Sequence, residues 1–265
     1  MTVVYILAHL DDEYCALPLI WEARRERLAQ RFLYLADYRD ARLARRRLAE
    51  TRKFLARQGV PADEIAPLGL GSGVFDQSVF RAVDRLYPQV RAAALAAGPV
   101  SRLVAPAWEG GHMDHDACAF LGVRLAAELG VPIRQFTLYN GPGLAGPLLR
   151  AGAPLAENGA VTRMPLSPVE WLRWLAGVRA FPSQLYAWSG IWPAMVWGLA
   201  RRGFGWQTLT PERVAERPHP GPLFYERMFK VAYAEVRAAL DAGLPYAGER
   251  LMTKSPARIS ATPPQ

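Results

Sequence analysis

The chain has 265 residues, 51% of them hydrophobic and 21% charged, with a net charge of +8. That balance fits one soluble α/β domain with a sizeable buried core. Two cysteines, Cys15 and Cys118, make no disulfide framework and suit a reducing cytoplasm; no basic segment leads into an apolar one at the start, so no signal peptide is expected.

In chain order, VVYILA (3–8) predicts a buried strand, followed by a helix from Glu13 to Ala29. RFLYLA (31–36) predicts the second strand. The arginine-rich stretch from Arg39 to Arg57 reads as an amphipathic helix that turns Leu43, Leu48 and Leu55 to the core and covers its solvent face with arginine. Its arginines are spread around the helix and no aromatic residues are interleaved for base stacking, so no nucleic-acid partner is expected. The surplus charge can still attract an anionic substrate or a membrane surface.

EIAPLG (64–69) predicts a short third strand. The GLGSG that overlaps its end lacks the G-x-G-x-x-G spacing and belongs to the third strand rather than the first, so it reads as a loop and not a nucleotide cradle. Asp76 to Ala97 is expected to be helical with a break near Pro88. RLVAPA (102–107) predicts the fourth strand, Asp114 to Leu129 a helix, and PIRQFTLY (132–139) the fifth strand. Strands alternating with helices predict a mainly parallel sheet covered on both faces, with ligands beyond the carboxyl ends of the strands.

The pattern changes after residue 140. A Gly- and Pro-rich loop leads to a helix from Ser167 to Arg179, with Ser167 as N-cap and Pro168 in its first turn. Six of the eight tryptophans fall between Trp171 and Trp206. The expected organisation is a single domain over 1–265: a core over 1–140, a Trp-rich cap and C-terminal elaboration over 141–250, and a flexible tail over 253–265. No internal repeat is evident.

Three of the four histidines lie in two short clusters, His9-Leu10-Asp11-Asp12-Glu13 after the first strand and His112-Met113-Asp114-His115 after the fourth. Carboxylates so crowded repel one another unless a cation or proton sits among them, and the two clusters face one cleft in a parallel sheet. A catalytic zinc keeps three protein ligands and an open position for water. His9 and Asp12 can turn toward one point, with His115 as the third ligand from across the cleft. Asp11 is then left beside the metal as general base, and His112 can donate to an oxyanion or protonate a leaving amine. Such parts describe metal-assisted amide hydrolysis. Zinc is the expected ion, although His₂Asp with water accommodates other divalent metals. Cys118, three residues after His115, reads as a small core residue.

AHLDDE resembles the Ala-His-Pro-Asp-Asp-Glu signature of the LmbE/PIG-L family of zinc-dependent deacetylases, and GGHMDH resembles that family's Gly-His-Pro-Asp-His. The resemblance implies a Rossmann-like three-layer α/β sandwich and removal of an N-acetyl group from an amino sugar such as an N-acetylglucosamine conjugate. It implies His9, Asp12 and His115 as zinc ligands, Asp11 as base, His112 as oxyanion donor or acid, and Asp114 as the group that orients His112. RLAE and FPSQ resemble further family patterns and imply Arg47, Ser183 and Gln184 as substrate contacts. Leu10 and Met113 stand where the signatures have proline. LGLGSG stands where many members have Leu-Gly-Tyr-Pro-Asp-Gly, so Ser72 occupies the place of an aspartate near the sugar. The likeness is strongest up to about Tyr139.

The uncharged run from Phe181 to Ala200 has the length of a membrane span, but two prolines and several polar residues argue for a cleft-lining cap first and a membrane-surface patch second. The expectation is therefore a cytoplasmic hydrolase, with a lipid-linked substrate and peripheral membrane contact compatible with the aromatic segment. The alternatives are an amidase or deacylase for another amide conjugate, or a non-catalytic sugar-binding module.

Overall fold

The computed structural model describes residues 1–244, so the expected tail over 253–265 and the end of the cap lie outside the described residues. The first half contains β1 (Thr2–Leu7), α1 (Leu17–Arg25), β2 (Ala29–Tyr34), α2 (Ala41–Arg57), β3 (Ile65–Ala66), α3 (Val83–Ala96), β4 (Val100–Pro106), α4 (Met113–Leu129) and β5 (Ile133–Phe136). The second half adds β6 (Tyr139–Asn140), β7 (Arg150–Ala151), β8 (Thr162–Met164), α5 (Pro168–Gly177), α6 (Leu185–Arg202), β9 (Phe204–Thr208), α7 (Pro211–Ala215), α8 (Phe224–Met228) and α9 (Tyr233–Gly243).

The main sheet runs β3-β2-β1-β4-β5-β9-β8. Its first five strands are parallel, β9 pairs antiparallel with β5, and β8 antiparallel with β9. The chain winds outward from β1 to β3, then returns to place β4 on the other side of β1. The crevice at that reversal is where an α/β sheet binds ligands.

Alternation along β1 builds two cores. Val3, Tyr5 and Leu7 pack toward α1, α2, α5 and α6, whereas Val4, Ile6 and Ala8 pack toward α3, α4 and α9. A fully buried side chain of this kind contributes about 1.5–3 kcal/mol of apolar burial. The result is a three-layer α/β sandwich, with the Trp-rich elaboration seated on the α1–α2 side. Tyr14 fastens that elaboration to the end of β1: its ring stacks on Trp174 at 5.1 Å, and its hydroxyl donates to the Trp174 carbonyl at 2.9 Å and accepts from Trp192 Nε1 at 3.0 Å.

The structure corrects several expected boundaries. The first helix starts at Leu17, because Asp12–Tyr14 forms a tight 3-10 turn and Pro18 sits in the first turn of α1. The third begins at Val83 rather than Asp76, since the Asp114 carboxylate binds the N–H groups of Gln77 and Val79 in a loop. Pro88 lies inside α3 without ending it, at the cost of one N–H donor. The expected fifth strand splits after Phe136, where the Glu109 carboxylate takes the N–H groups of Leu138 and Tyr139. On α2, Leu55 is buried and Leu48 packs against the core, but Leu43 is only half-buried and Phe54 and Thr51 face inward instead. Ser167 caps α5, and Glu170 returns a bond to the Ser167 N–H.

Candidate metal centre and cleft

The turn after β1 is drawn by the Asp12 carboxylate. Its Oδ2 accepts from the backbone N–H groups of Ala8 at 2.9 Å and His9 at 2.8 Å, which leaves Oδ1 aimed at His115 Nε2, 3.1 Å away. His9 Nδ1 lies 3.2 Å from the same His115 nitrogen and 3.8 Å from Asp12 Oδ1. These three donors form a triangle of 3.1–3.8 Å edges. A tetrahedron with metal–ligand distances near 2.05 Å has edges of about 3.3 Å. One nitrogen from each histidine and one carboxylate oxygen thus fit a divalent cation, and the donor set suits zinc.

The second cluster enters from the start of α4. Gly110 adopts φ +68°, and a Cβ on Gly111 would lie 2.0 Å from the Tyr139 carbonyl oxygen, so only glycine fits this approach. His112 is the N-cap of α4: its Nδ1 accepts the Asp114 N–H at 3.2 Å. That bond fixes the tautomer and leaves Nε2 as a donor. His115 follows one turn later on the same helix face. Below the loop, Glu109 is buried and its two oxygens take four donors: Thr137 Oγ1, Asn140 Nδ2 and the N–H groups of Leu138 and Tyr139.

Asp76, which the motifs do not include, completes the site. Its Oδ1 lies 2.9 Å from His9 Nε2 and 3.4 Å from His112 Nε2. His9 therefore offers one nitrogen to the triad and the other to a carboxylate, the pattern that orients metal-binding histidines. His9, Asp76, His112 and Asp114 also bring donor atoms within 4.8 Å of one another. That second grouping is the poorer cage, because both Asp114 oxygens are already engaged by Gln77 and Val79 N–H groups. The sequence signal for Asp76 is weak: it follows the third parallel strand, at the sheet edge shared by the loops after β1 and β4, but only folding brings it to His9.

Negative charge dominates here. Burial works against a charged His9, but Asp76, Asp114 and Asp12 outweigh it and raise its pKa well above the usual histidine value. Burial likewise opposes ionisation of Asp12, and His115 with His9 overcomes it and holds the carboxyl far below the ordinary range. The field that draws a proton onto His9 also favours a bound cation. Burial, reinforced by the charge on Asp12, pushes Asp11 up to about 6, near the range of a general base working at neutral pH. Burial lowers His112 to about 4, which keeps it neutral.

His9, Asp11, Asp12, Arg47, Asp76, His112 and His115 line one cleft of about 200 Å³, with Gln184 at its edge. Its far wall is apolar: Leu138 and Tyr139 follow β5, and Ala187, Trp188, Ile191 and Met195 come from α6. Arg47 lies over the Tyr38 ring at 4.6 Å and donates to Gln184 Oε1 at 2.6 Å, so two of the expected substrate contacts meet at the cleft. The other two do not reach it. Ser183 donates its hydroxyl to Glu50 Oε2 at 2.5 Å, and Ser72 Oγ accepts the Val74 N–H at 3.1 Å within its own loop.

The Asp114 carboxylate, expected to orient His112, holds residues 77–79 instead, and it is the Asp114 backbone N–H that holds the imidazole. Glu13 is fully buried away from the cleft, and burial with the nearby Asp11 charge pushes it up to about 8. Leu10 and Met113 are both core residues, and the Leu10 N–H donates to the Tyr38 hydroxyl at 2.9 Å, a bond that proline lacks. Cys118, on α4, is fully buried in the core that α4 packs against the sheet.

No family model matches the sequence, and no curated protein matches it. Solved structures do. The chain is similar to the teicoplanin deacetylase Orf2 in a zinc-inhibited form, at 15% identity and a TM-score of 0.56, over 78% of this chain and 97% of that one. It is similar to the pseudoaglycone deacetylase Dbv21 at 16% identity and a TM-score of 0.55, over 78% and 96%. A conserved protein of Thermus thermophilus matches at 20% identity and a TM-score of 0.50, over 79% and 94%. This chain has the three-layer α/β fold of these solved structures.

Proposed function

We propose that this chain is a metal-dependent N-deacetylase of the LmbE/PIG-L type, removing the acetyl group of an N-acetylated amino sugar or its conjugate. The observation that carries the reading is the triangle of His9 Nδ1, Asp12 Oδ1 and His115 Nε2, with Asp11 and His112 on the same small cleft. A divalent cation held there supplies Lewis acidity and a water acidified toward neutrality.

The chain's own residues do the rest. Asp11 takes the proton of the attacking water and returns it to the amide nitrogen as the C–N bond breaks, so that acetate and the free amine leave. His112, neutral and with Nδ1 already engaged, donates from Nε2 to the oxygen of the amide as it gains charge. Asp76 and the backbone around Asp12 keep the donor atoms in register. Arg47 and Gln184 hold the polar part of the substrate at the rim. Zinc is the metal this donor set favours, and the substrate is a small molecule rather than nucleic acid.

The apolar wall from α6 supports a second reading of the same chemistry, in which the substrate carries a longer acyl chain or an apolar group beside the amide. Acetate release from N-acetylated amino sugars, compared with release of longer acids from their N-acyl homologues, separates the two. Activity confined to long-chain amides would overturn the acetyl assignment, and activity on acetyl substrates alone would overturn the second reading.

A further inference from the structure

The inner side of α6 closes the cleft, and its outer side is unusual for a helix exposed to water. Tyr186, Gly190, Pro193 and Trp197 follow one another at steps of four, three and four residues, which aligns them on one outward line. Tyr186 is 95% exposed and Trp197 64%. They stand about 16 Å apart along the axis at 1.5 Å per residue. An outward helix face normally carries charge, yet α6 has none before Arg201, whose guanidinium lies 5.3 Å over the Trp197 ring. Leu185 adds a further exposed apolar side chain at the start of the helix.

Along the sequence, the charge on either side of α6 has one sign. Between Glu170 and Glu212 the sequence has no acidic residue and four arginines, Arg173, Arg179, Arg201 and Arg202. Exposed tyrosine and tryptophan flanked by arginine are the composition of a helix that lies in a lipid interface. We propose that the outer face of α6 seats this protein on the surface of an anionic lipid bilayer, with Tyr186 and Trp197 at headgroup depth and the arginines against lipid phosphates. The helix lies along the membrane rather than through it: no helix among the described residues is long and apolar enough to cross one. A second copy is the weaker occupant, because a symmetric contact would press this cationic face against itself.

The cleft lies against the opposite side of the same helix, one helix diameter or about 10 Å away. A substrate anchored in the bilayer thus has a short path to the site. That consequence rests on the deacetylase reading, whereas the docking itself does not, and docking is measured without turnover.

The test is cosedimentation of the full chain with vesicles of phosphatidylcholine alone and of phosphatidylcholine mixed with phosphatidylglycerol. The mixed vesicles should bind at least about tenfold more tightly, and added salt should weaken binding. The double variant Tyr186→Ser/Trp197→Ser, with unchanged circular dichroism, should lose roughly tenfold or more in affinity. Arg201→Glu/Arg202→Glu tests the charge independently and should show a similar loss. Absence of wild-type binding to anionic vesicles overturns the proposal, as does equal binding by both variants. A wild-type dimer that Tyr186→Ser/Trp197→Ser converts to a monomer would assign the face to a second copy instead.

Discussion

His9 Nε2 lies 2.9 Å from Asp76 Oδ1 while the opposite ring nitrogen points at His115 and Asp12. One imidazole is thereby held between His115 and Asp12 on one side and, on the other, a carboxylate that is 46% exposed on its side-chain surface. Partners of this kind typically tune metal affinity or activity by about 10–100-fold. Asp76→Asn should therefore weaken zinc binding by about that factor, read by competition with a chromophoric chelator, while the melting temperature of the metal-free protein changes little. Unchanged affinity would show that the Asp76 carboxylate does not orient His9.

Metal binding should also be visible as stability. A ligand at about 100 times its dissociation constant adds about 2.7 kcal/mol to the folded state. For a chain of this size that is a rise of about 5–11 °C in melting temperature. Zinc should produce such a rise in the wild type, and His115→Ala should abolish it. An equal rise in the variant would place the ion elsewhere.

Glu109 anchors the cleft from beneath. Removing its carboxylate in Glu109→Ala strands the buried N–H groups of Leu138 and Tyr139, at about 1–3 kcal/mol each. Urea unfolding should report a loss of about 2–6 kcal/mol. A loss below about 0.5 kcal/mol, the scale of an ordinary surface substitution, would contradict the anchoring role of Glu109.

Both strand-end clusters were legible in the sequence because histidine is scarce in this chain and concentrated there, and because parallel strands open at one sheet edge. The Ser167 cap and Pro168 likewise marked α5 with local chemistry alone. What stayed hidden depended on long-range bonds. Asp76 looks like any loop aspartate until folding brings it to His9, 67 positions away. Glu109 reads as one more charge in WEGGHMDH, although it sets where β5 ends. The Asp114 carboxylate serves residues 77–79, a bond no local pattern announces. The antiparallel extension by β9 and β8 lies partly within the Trp-rich region, where FGWQT is too short to stand out from its surroundings.

Arg47 and Gln184 meet at the cleft rim through a 2.6 Å hydrogen bond. If they hold the polar part of the substrate equally in the ground and transition states, Arg47→Ala should raise KM by about tenfold and leave kcat within about threefold. Steady-state kinetics on the best amino-sugar substrate decide this. A fall in kcat with KM unchanged would move Arg47 from binding to the reaction itself.

If Asp11 is the base beside a metal held by His9, Asp12 and His115, its carboxylate is needed for turnover but not for metal binding. The most direct measurement is acetate release from N-acetylated amino sugars by zinc-loaded wild type and Asp11→Asn, with metal content determined in both. General-base loss typically costs about 10²–10⁴ in rate, so the variant should retain stoichiometric zinc and lose turnover by that factor. Wild-type turnover in Asp11→Asn would contradict the assignment, as would a zinc-loaded wild type that releases acetate from none of these sugars.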